Sequence, residues 1–342
     1  MEELALEIQR MATDSPASIS GTKAYGRSWI LTCGEILNIY GNIQDGDFEE
    51  KIDTKKLKSI QFARKFAVNE NTFRKLNNSL LCNQNLQFRM TFNGCGAFND
   101  LQFLKHLPEL KNFNFDTFSK IDVAPIRDYV QLNHLGLSGY NISLHPIEGN
   151  PHFLSFGLGE KIKDFKTISS FSQLEKLSIT GQSLKNIDFI LPLKKLKHIS
   201  FRFGGTKFFD DLAAVESLEE LEIWRTRQLE VEHLVSLNKI KNLRVLKLRE
   251  LPRITRMNWF NNPAVETLVL NGLKGLQTFD SLKGISTLKK LVIINWIDNN
   301  GLLSLQKLNN VNNIQVFEEY LGQVSEFDNH EKFSKIDFKY IL

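Results

Sequence analysis

The stretch Phe171-Ser-Gln-Leu174-Glu-Lys-Leu177-Ser-Ile179 carries apolar residues at offsets 0, 3, 6 and 8. The same spacing returns at Leu193, Leu196, Ile199 and Phe201, at Val215, Leu218, Leu221 and Ile223, and at Ile240, Leu243, Leu246 and Leu248. Later copies are Ile285, Leu288, Leu291 and Ile293, then Leu308, Val311, Ile314 and Val316. Upstream, Leu107, Leu110, Phe113 and Phe115 obey it, as do Tyr129, Leu132, Leu135 and Leu137. Two further copies begin at Asn150 and Asn262, where Asn-Pro replaces the first apolar residue.

The third position of the pattern falls at 113, 135, 156, 177, 199, 221, 246, 268, 291 and 314, with gaps of 21 to 25 residues. A chance pattern drifts in phase, whereas a fixed period marks a repeat architecture. The last two apolar residues stand two apart, so they share one face of a short strand. A second apolar set follows each strand, as in Leu184, Ile187 and Phe189 or Leu273, Leu276, Phe279 and Leu282. One repeat cannot bury both sets alone, and stacked repeats bury both. Weaker copies are expected around Ile60-Gln-Phe62 and Leu86-Gln-Phe88, with Leu37-Asn-Ile39 as a first rung. The 25-residue gap between Leu221 and Leu246 predicts a local bulge.

This pattern resembles the leucine-rich-repeat family, whose core reads L-x-x-L-x-L-x-x-N/C-x-L. The short repeats are similar to internalin-like bacterial repeats and to the phosphatase-regulator type. The resemblance implies a right-handed horseshoe, an α/β solenoid with a parallel sheet on its concave side. About ten clear repeats and two or three degenerate ones are expected. The family places Asn or Cys three residues past the strand pair, where it bonds neighbouring turns. Here those places hold Gln182, Gly204, Thr226, Leu251, Leu273 and Trp296. The rungs are therefore expected to be held by packing and by backbone bonds that differ between repeats. Residues 1–50 break the period and read as an N-terminal cap, with strands joined near Gly34 in Ser28–Tyr40. The solenoid is expected over 51–320, and 321–342 reads as a C-terminal cap or tail.

Composition fits a folded chain, with 42% hydrophobic and 24% charged residues. The 26 Phe among 342 residues point to many buried, repetitive slots, since Phe carries no polar tip to satisfy. Net charge is only +4, too small to mark a nucleic-acid binder without a clustered basic face. Cys33, Cys82 and Cys95 lack the close pairing of zinc sites and read as small buried hydrophobes in a reducing compartment. The acidic first residues have no continuous apolar run, so neither a signal peptide nor a membrane span is expected, and the cytoplasm is the default location.

No catalytic constellation emerges. The histidines at 106, 134, 145, 152, 198, 233 and 330 show no metal-binding spacing. Cys95, in Asn-Gly-Cys-Gly-Ala, has no identifiable base to activate it. No enzyme activity, metal or cofactor is expected.

Strand alternation sends the residue between each apolar pair, and the one just after it, to the free face of the sheet. Around Gly136 to Thr180 this face is stripped to Gly, Ser and Thr. Arg202, Trp224 and Arg249 then follow on successive strands, flanked by His198, Glu222, Arg225 and Lys247. Trp and Arg dominate protein-interface hot spots, which makes this group the candidate partner-binding site. The plainer alternative is a Trp224 stacked between guanidinium groups with no partner. Val269, Val292, Ile294 and Phe317 continue the face as an apolar stripe. The reading is a protein-binding module serving as effector, toxin-neutralising partner or scaffold. Its rival is nucleic-acid or polyanion binding through the basic middle repeats, Lys161 to Arg256.

Overall fold

The structure is a computed structural model. It describes residues 23–25, 30–33, 35–45, 57–62, 68–79, 86–92, 101–117, 120–129, 131–139, 141–149, 153–226, 228–276, 278–294, 307–318 and 336–340, with 47, 81, 304 and 305. Cys82, Cys95, Asn150, Trp296 and most of the expected terminal caps lie outside these residues. The chain forms two compact units, Met1–Gly157 with Lys161–Thr167, and Leu158–Glu160 with Ile168–Leu342.

In the first unit, strands β1 (Lys23–Tyr25), β2 (Ile30–Cys33) and β3 (Ile36–Ile39) pair antiparallel. From β3 the chain turns to parallel pairing through β4 (Ser59–Phe62), β5 (Gln87–Phe92), β6 (Asn112–Thr117) and β7 (His134–Ser138). Leu37 stands beside Ile60, Ile60 beside Phe88, and Phe88 beside Phe113. The pair at β5 is thus Phe88 and Met90, two residues later than the expected Leu86 and Phe88. A shift of two leaves the buried face unchanged, so the pattern alone could not detect it. Short strands β8 (Ile142–Ser143) and β10 (Ile162–Lys163) pair with each other, and β9 (Ser155–Leu158) lies between them in sequence. Helix α1 (Glu70–Ser79) buries Phe73 and Leu76, and Asn69 caps it by accepting the Thr72 N–H at 2.8 Å.

The phenylalanines fill this core in series. Phe73 stacks on Phe103 with ring centroids 4.8 Å apart, and Phe88 on Phe113 at 6.0 Å. Ten Phe rings are among the largest fully buried side chains of the described residues, as the composition led us to expect.

In the second unit, β11 (Lys176–Thr180), β12 (His198–Arg202), β13 (Glu220–Trp224), β14 (Val245–Arg249), β15 (Thr267–Asn271), β16 (Lys290–Ile294), β17 (Asn313–Glu318) and β18 (Ile336–Tyr340) run parallel in sequence order. Leu177, Ile199, Leu221 and Leu246 are direct lateral neighbours, and all four are at most 2% exposed. The second apolar set returns through 3₁₀ turns such as Asp188–Ile190 and Asp280–Gly284, burying Ile187, Phe189, Phe279 and Leu282. The three extra residues before Leu246 do not disturb the sheet. They are absorbed on the return side by helix α2 (Val231–Leu234) and the 3₁₀ turn Val235–Lys239 that follows it.

The rungs differ from expectation. Backbone bonds recur almost identically from repeat to repeat, because the turn entering each strand has the same length. His198 and its predecessor both donate to Glu175 O at 3.0 and 2.9 Å. The residues opening β13, β14, β15 and β16 repeat this on Lys197, Glu219, Arg244 and Glu266. Where the family pattern calls for Asn, Leu251 and Leu273 are simply buried. A different Asn supplies a rung, since the fully buried Asn262 donates its amide to Leu237 O at 2.8 Å and Ile240 O at 2.9 Å.

Candidate functional site

The register carries Arg202, Trp224 and Arg249 to matching places on β12, β13 and β14, each beside the next. Arg249 lies over the Trp224 ring, its guanidinium carbon 4.4 Å from the centroid, and Arg202 approaches the same ring at 5.7 Å. Both lie within the range where a cation is attracted to an aromatic face. The stack anticipated as the plainer alternative therefore exists.

Glu222 departs from the exposed position the alternation implied. It points to the free face but is only 6% exposed, because the long side chains on both sides close over it. Arg202 donates Nε and Nη2 to one of its oxygens at 2.9 and 2.6 Å, and Arg249 donates Nη1 to the other at 2.9 Å. Charge-assisted bonds of this kind are roughly twice as strong as neutral ones. Glu222 is thus the floor that fixes both guanidiniums, and the arginines are the more exposed members of the trio. Ser200 and Val292, from the same column, are covered as well, at 9% and 8% exposure.

The remaining candidates divide into two groups. His198 and Lys247 both contact Glu220, His198 Nδ1 at 3.2 Å and the Lys247 ammonium on the other carboxylate oxygen. Burial would raise the Glu220 carboxyl, but the Lys247 and His198 contacts outweigh it and hold it below its usual value. Of these, His198 and Glu220 line a small open cavity, of about 160 Å³, together with Arg244 and Glu266. Arg225 instead joins Trp224 through two residues that the column reading missed, Phe203 and Glu250. Phe203 packs on Trp224 with centroids 4.5 Å apart, and the Arg225 guanidinium carbon sits 5.4 Å from the Phe203 ring centroid. Glu250 accepts the Trp224 indole N–H at 2.9 Å and the Arg225 Nε–H at 2.6 Å. Partial burial pushes the Glu250 carboxyl up, and these two donors more than reverse it, leaving it below its ordinary value.

Phe203, Arg225 and Glu250 share a further property. Each follows its strand with positive φ, at 56°, 52° and 49°. Gly181 and Gly272 hold the same place in the flanking repeats, at 71° and 64°. The turn needs a left-handed residue so that its N–H can bond the next strand, as Phe203 N does to Trp224 O at 2.9 Å and Gly272 N to Ile294 O at 2.8 Å. A side chain there costs roughly 1–2 kcal/mol per residue, which glycine avoids. Reading the column one residue past the strand would have exposed this, since two glycines bracket three bulky residues.

In the first unit the stripped face carries a polar chain of its own. His134 Nε2 lies 3.1 Å from Asn114 Oδ1, and its Nδ1 lies 3.0 Å from Ser155 Oγ. Burial holds this imidazole below its ordinary value, favouring its neutral form. Gly136 admits the Asn114 amide, which would collide with any Cβ there at 1.9 Å.

A succession of short parallel strands and 3₁₀ returns, with leucine-type pairs in lateral register, decides the architecture. The fold is that of a leucine-rich-repeat solenoid. Among solved structures it is similar to a leucine-rich-repeat protein of Leptospira interrogans, at 14% identity and a TM-score of 0.50, covering 82% of this chain and 72% of that one. It is also similar to Drosophila Toll in its complex with Spatzle, at 12% identity and a TM-score of 0.52, covering 89% of this chain and 46% of that one. An internalin from Listeria monocytogenes matches over 99% of this chain and 94% of its own, at 15% identity and a TM-score of 0.46. No family model and no curated protein matches the sequence. Among the described residues no helix is long and apolar enough to cross a membrane, and no group of His, Cys, Asp and Glu is placed to hold a metal ion.

Proposed function

We propose that this leucine-rich-repeat chain is a protein-binding module that docks its partner on the strand face of the second unit, with Arg202, Trp224 and Arg249 as anchor. The observation that carries the reading is the partly exposed Trp224 ring, approached by two guanidiniums that share one buried carboxylate. Preorganised Trp and Arg side chains lose little freedom on binding, which is what makes such residues effective anchors. Drosophila Toll, of similar fold, is solved in complex with a protein. The reading assigns Glu222 to holding the arginines, and His198 and Lys247 to the rim around Glu220.

A protein partner is favoured over nucleic acid by the way the cations are set. Arg225, Lys247, Arg253 and Arg244 each face a carboxylate, of Glu250, Glu220, Glu230 and Glu266. A phosphate backbone passing over them would meet those carboxylates as well, whereas polyanion binding draws on unbroken positive charge.

The test is affinity capture from native lysate with wild-type bait and with bait carrying Trp224→Ala and Arg202→Ala. Loss of a specific prey with the double variant, while it remains folded at the capture temperature by its unfolding curve, supports the docking site. Equal retention by both baits refutes it. The identity of that prey distinguishes effector, toxin-neutralising partner and scaffold.

A further inference from the structure

Resting on that docking site, we infer that its partner offers an acidic peptide segment in which a side-chain carboxylate lies next to a large apolar residue, and that Phe203 is the second half of the site. Two independent observations lead there.

The first is charge. Arg202 and Arg249 share Glu222, so one positive charge of the trio is left unbalanced. The carboxylate is the covered member, with its side chain 8% exposed, while the two arginine side chains are 38% and 33% exposed. Arg202 spends Nε and Nη2 on Glu222 and Arg249 spends Nη1. Arg202 Nη1 and Arg249 Nε and Nη2 have no acceptor among the described residues. Guanidinium N–H groups fixed in place beside an aromatic face suit a carboxylate, whose two oxygens can take a donor from each.

The second is the left-handed row. Gly181 and Gly272 show that the repeat accepts glycine at this place, yet Phe203 stands there 41% exposed. Strained backbone persists where surrounding contacts hold it, and such positions gather at binding sites. Here Arg225, Phe203, Trp224 and Arg249 form one continuous run of ring contacts across three repeats, Phe203 meeting Trp224 at a tilt of 49°. That run joins the exposed Phe203 ring to the Trp224 ring that Arg202 and Arg249 approach. An apolar side chain packing on the exposed part of Phe203 would bring an adjacent carboxylate to the arginines around Trp224, where the guanidinium donors, rather than the negative ring face, receive it.

The experiment is selection of a displayed random-peptide library on the full chain, followed by binding measurements with the enriched synthetic peptides. The result expected is enrichment of Asp or Glu beside Phe, Leu, Ile or Trp. Binding should weaken at least about tenfold when the peptide's carboxylates become amides, and similarly with Phe203→Ala or Arg249→Met, which matches the loss typical of an anchor residue. A single-stranded oligonucleotide of equal charge should compete poorly. Enrichment of basic or uncharged peptides, or no enrichment at all, overturns the inference. So does binding indifferent to Phe203→Ala, or an oligonucleotide that competes as well as the peptide. If lysate capture still depends on Trp224 and Arg202 while acidic peptides fail, the docking site stands and only this inference falls.

Discussion

Replacing Glu222 by Gln keeps the shape of the side chain and removes the charge that two arginines share. Three charge-assisted bonds end on this carboxylate, at 2.6, 2.9 and 2.9 Å. Breaking a fully buried ion pair costs roughly 3–5 kcal/mol. The arginine side chains are about a third exposed, so water recovers part of their solvation. We therefore expect a loss of about 2 kcal/mol. Arg202→Met and Arg249→Met should each cost about 1 kcal/mol, because the carboxylate keeps its other guanidinium and stays paired. The assay is urea unfolding of the three variants, compared through midpoints at constant slope. The ordering is the sharp part of the prediction. If Glu222→Gln costs less than either arginine variant, the carboxylate is not the shared floor of the site.

Other expectations follow from the same packing. A Cβ at Gly204 would lie 1.9 Å from the Gln182 carbonyl oxygen, which belongs to the neighbouring backbone and cannot swing aside; Gly204→Ala should cost about 1–3 kcal/mol in urea unfolding, the usual range for overpacking. Asn262→Ala leaves the Leu237 and Ile240 carbonyls without their buried donor and should cost about 1–3 kcal/mol by the same assay, with an indistinguishable midpoint counting against the Asn rung. His134 resists protonation when folded, so its contribution is complete above its ordinary value of 6.5 and is lost as pH falls below it; His134→Gln should flatten that part of a stability-versus-pH curve. The Glu220 carboxyl is depressed, so its contribution is present above 4.5 and is lost as pH falls through the lower folded value. Lys247→Met should shrink that acid loss, and an unchanged acid limb would mean that the ion pair contributes nothing.

The sequence by itself determined the repeat and the inward face. An apolar pair two residues apart, returning every 21 to 25 positions, leaves stacked parallel strands as the arrangement that buries both sides of each turn. It also placed Arg202, Trp224 and Arg249 on adjoining strands, because alternation along a strand is a local property of the backbone. Only the tertiary structure decided how much of each side chain stays uncovered. Glu222 obeys the alternation and is nevertheless buried, since arginines 20 and 27 residues away reach across it. The left-handed turns at Phe203, Arg225 and Glu250 likewise come from bonds to the next repeat. Period is written in near neighbours along the chain. Cover and strain are set by lateral neighbours a whole repeat away, where side-chain length and reach take over from pattern.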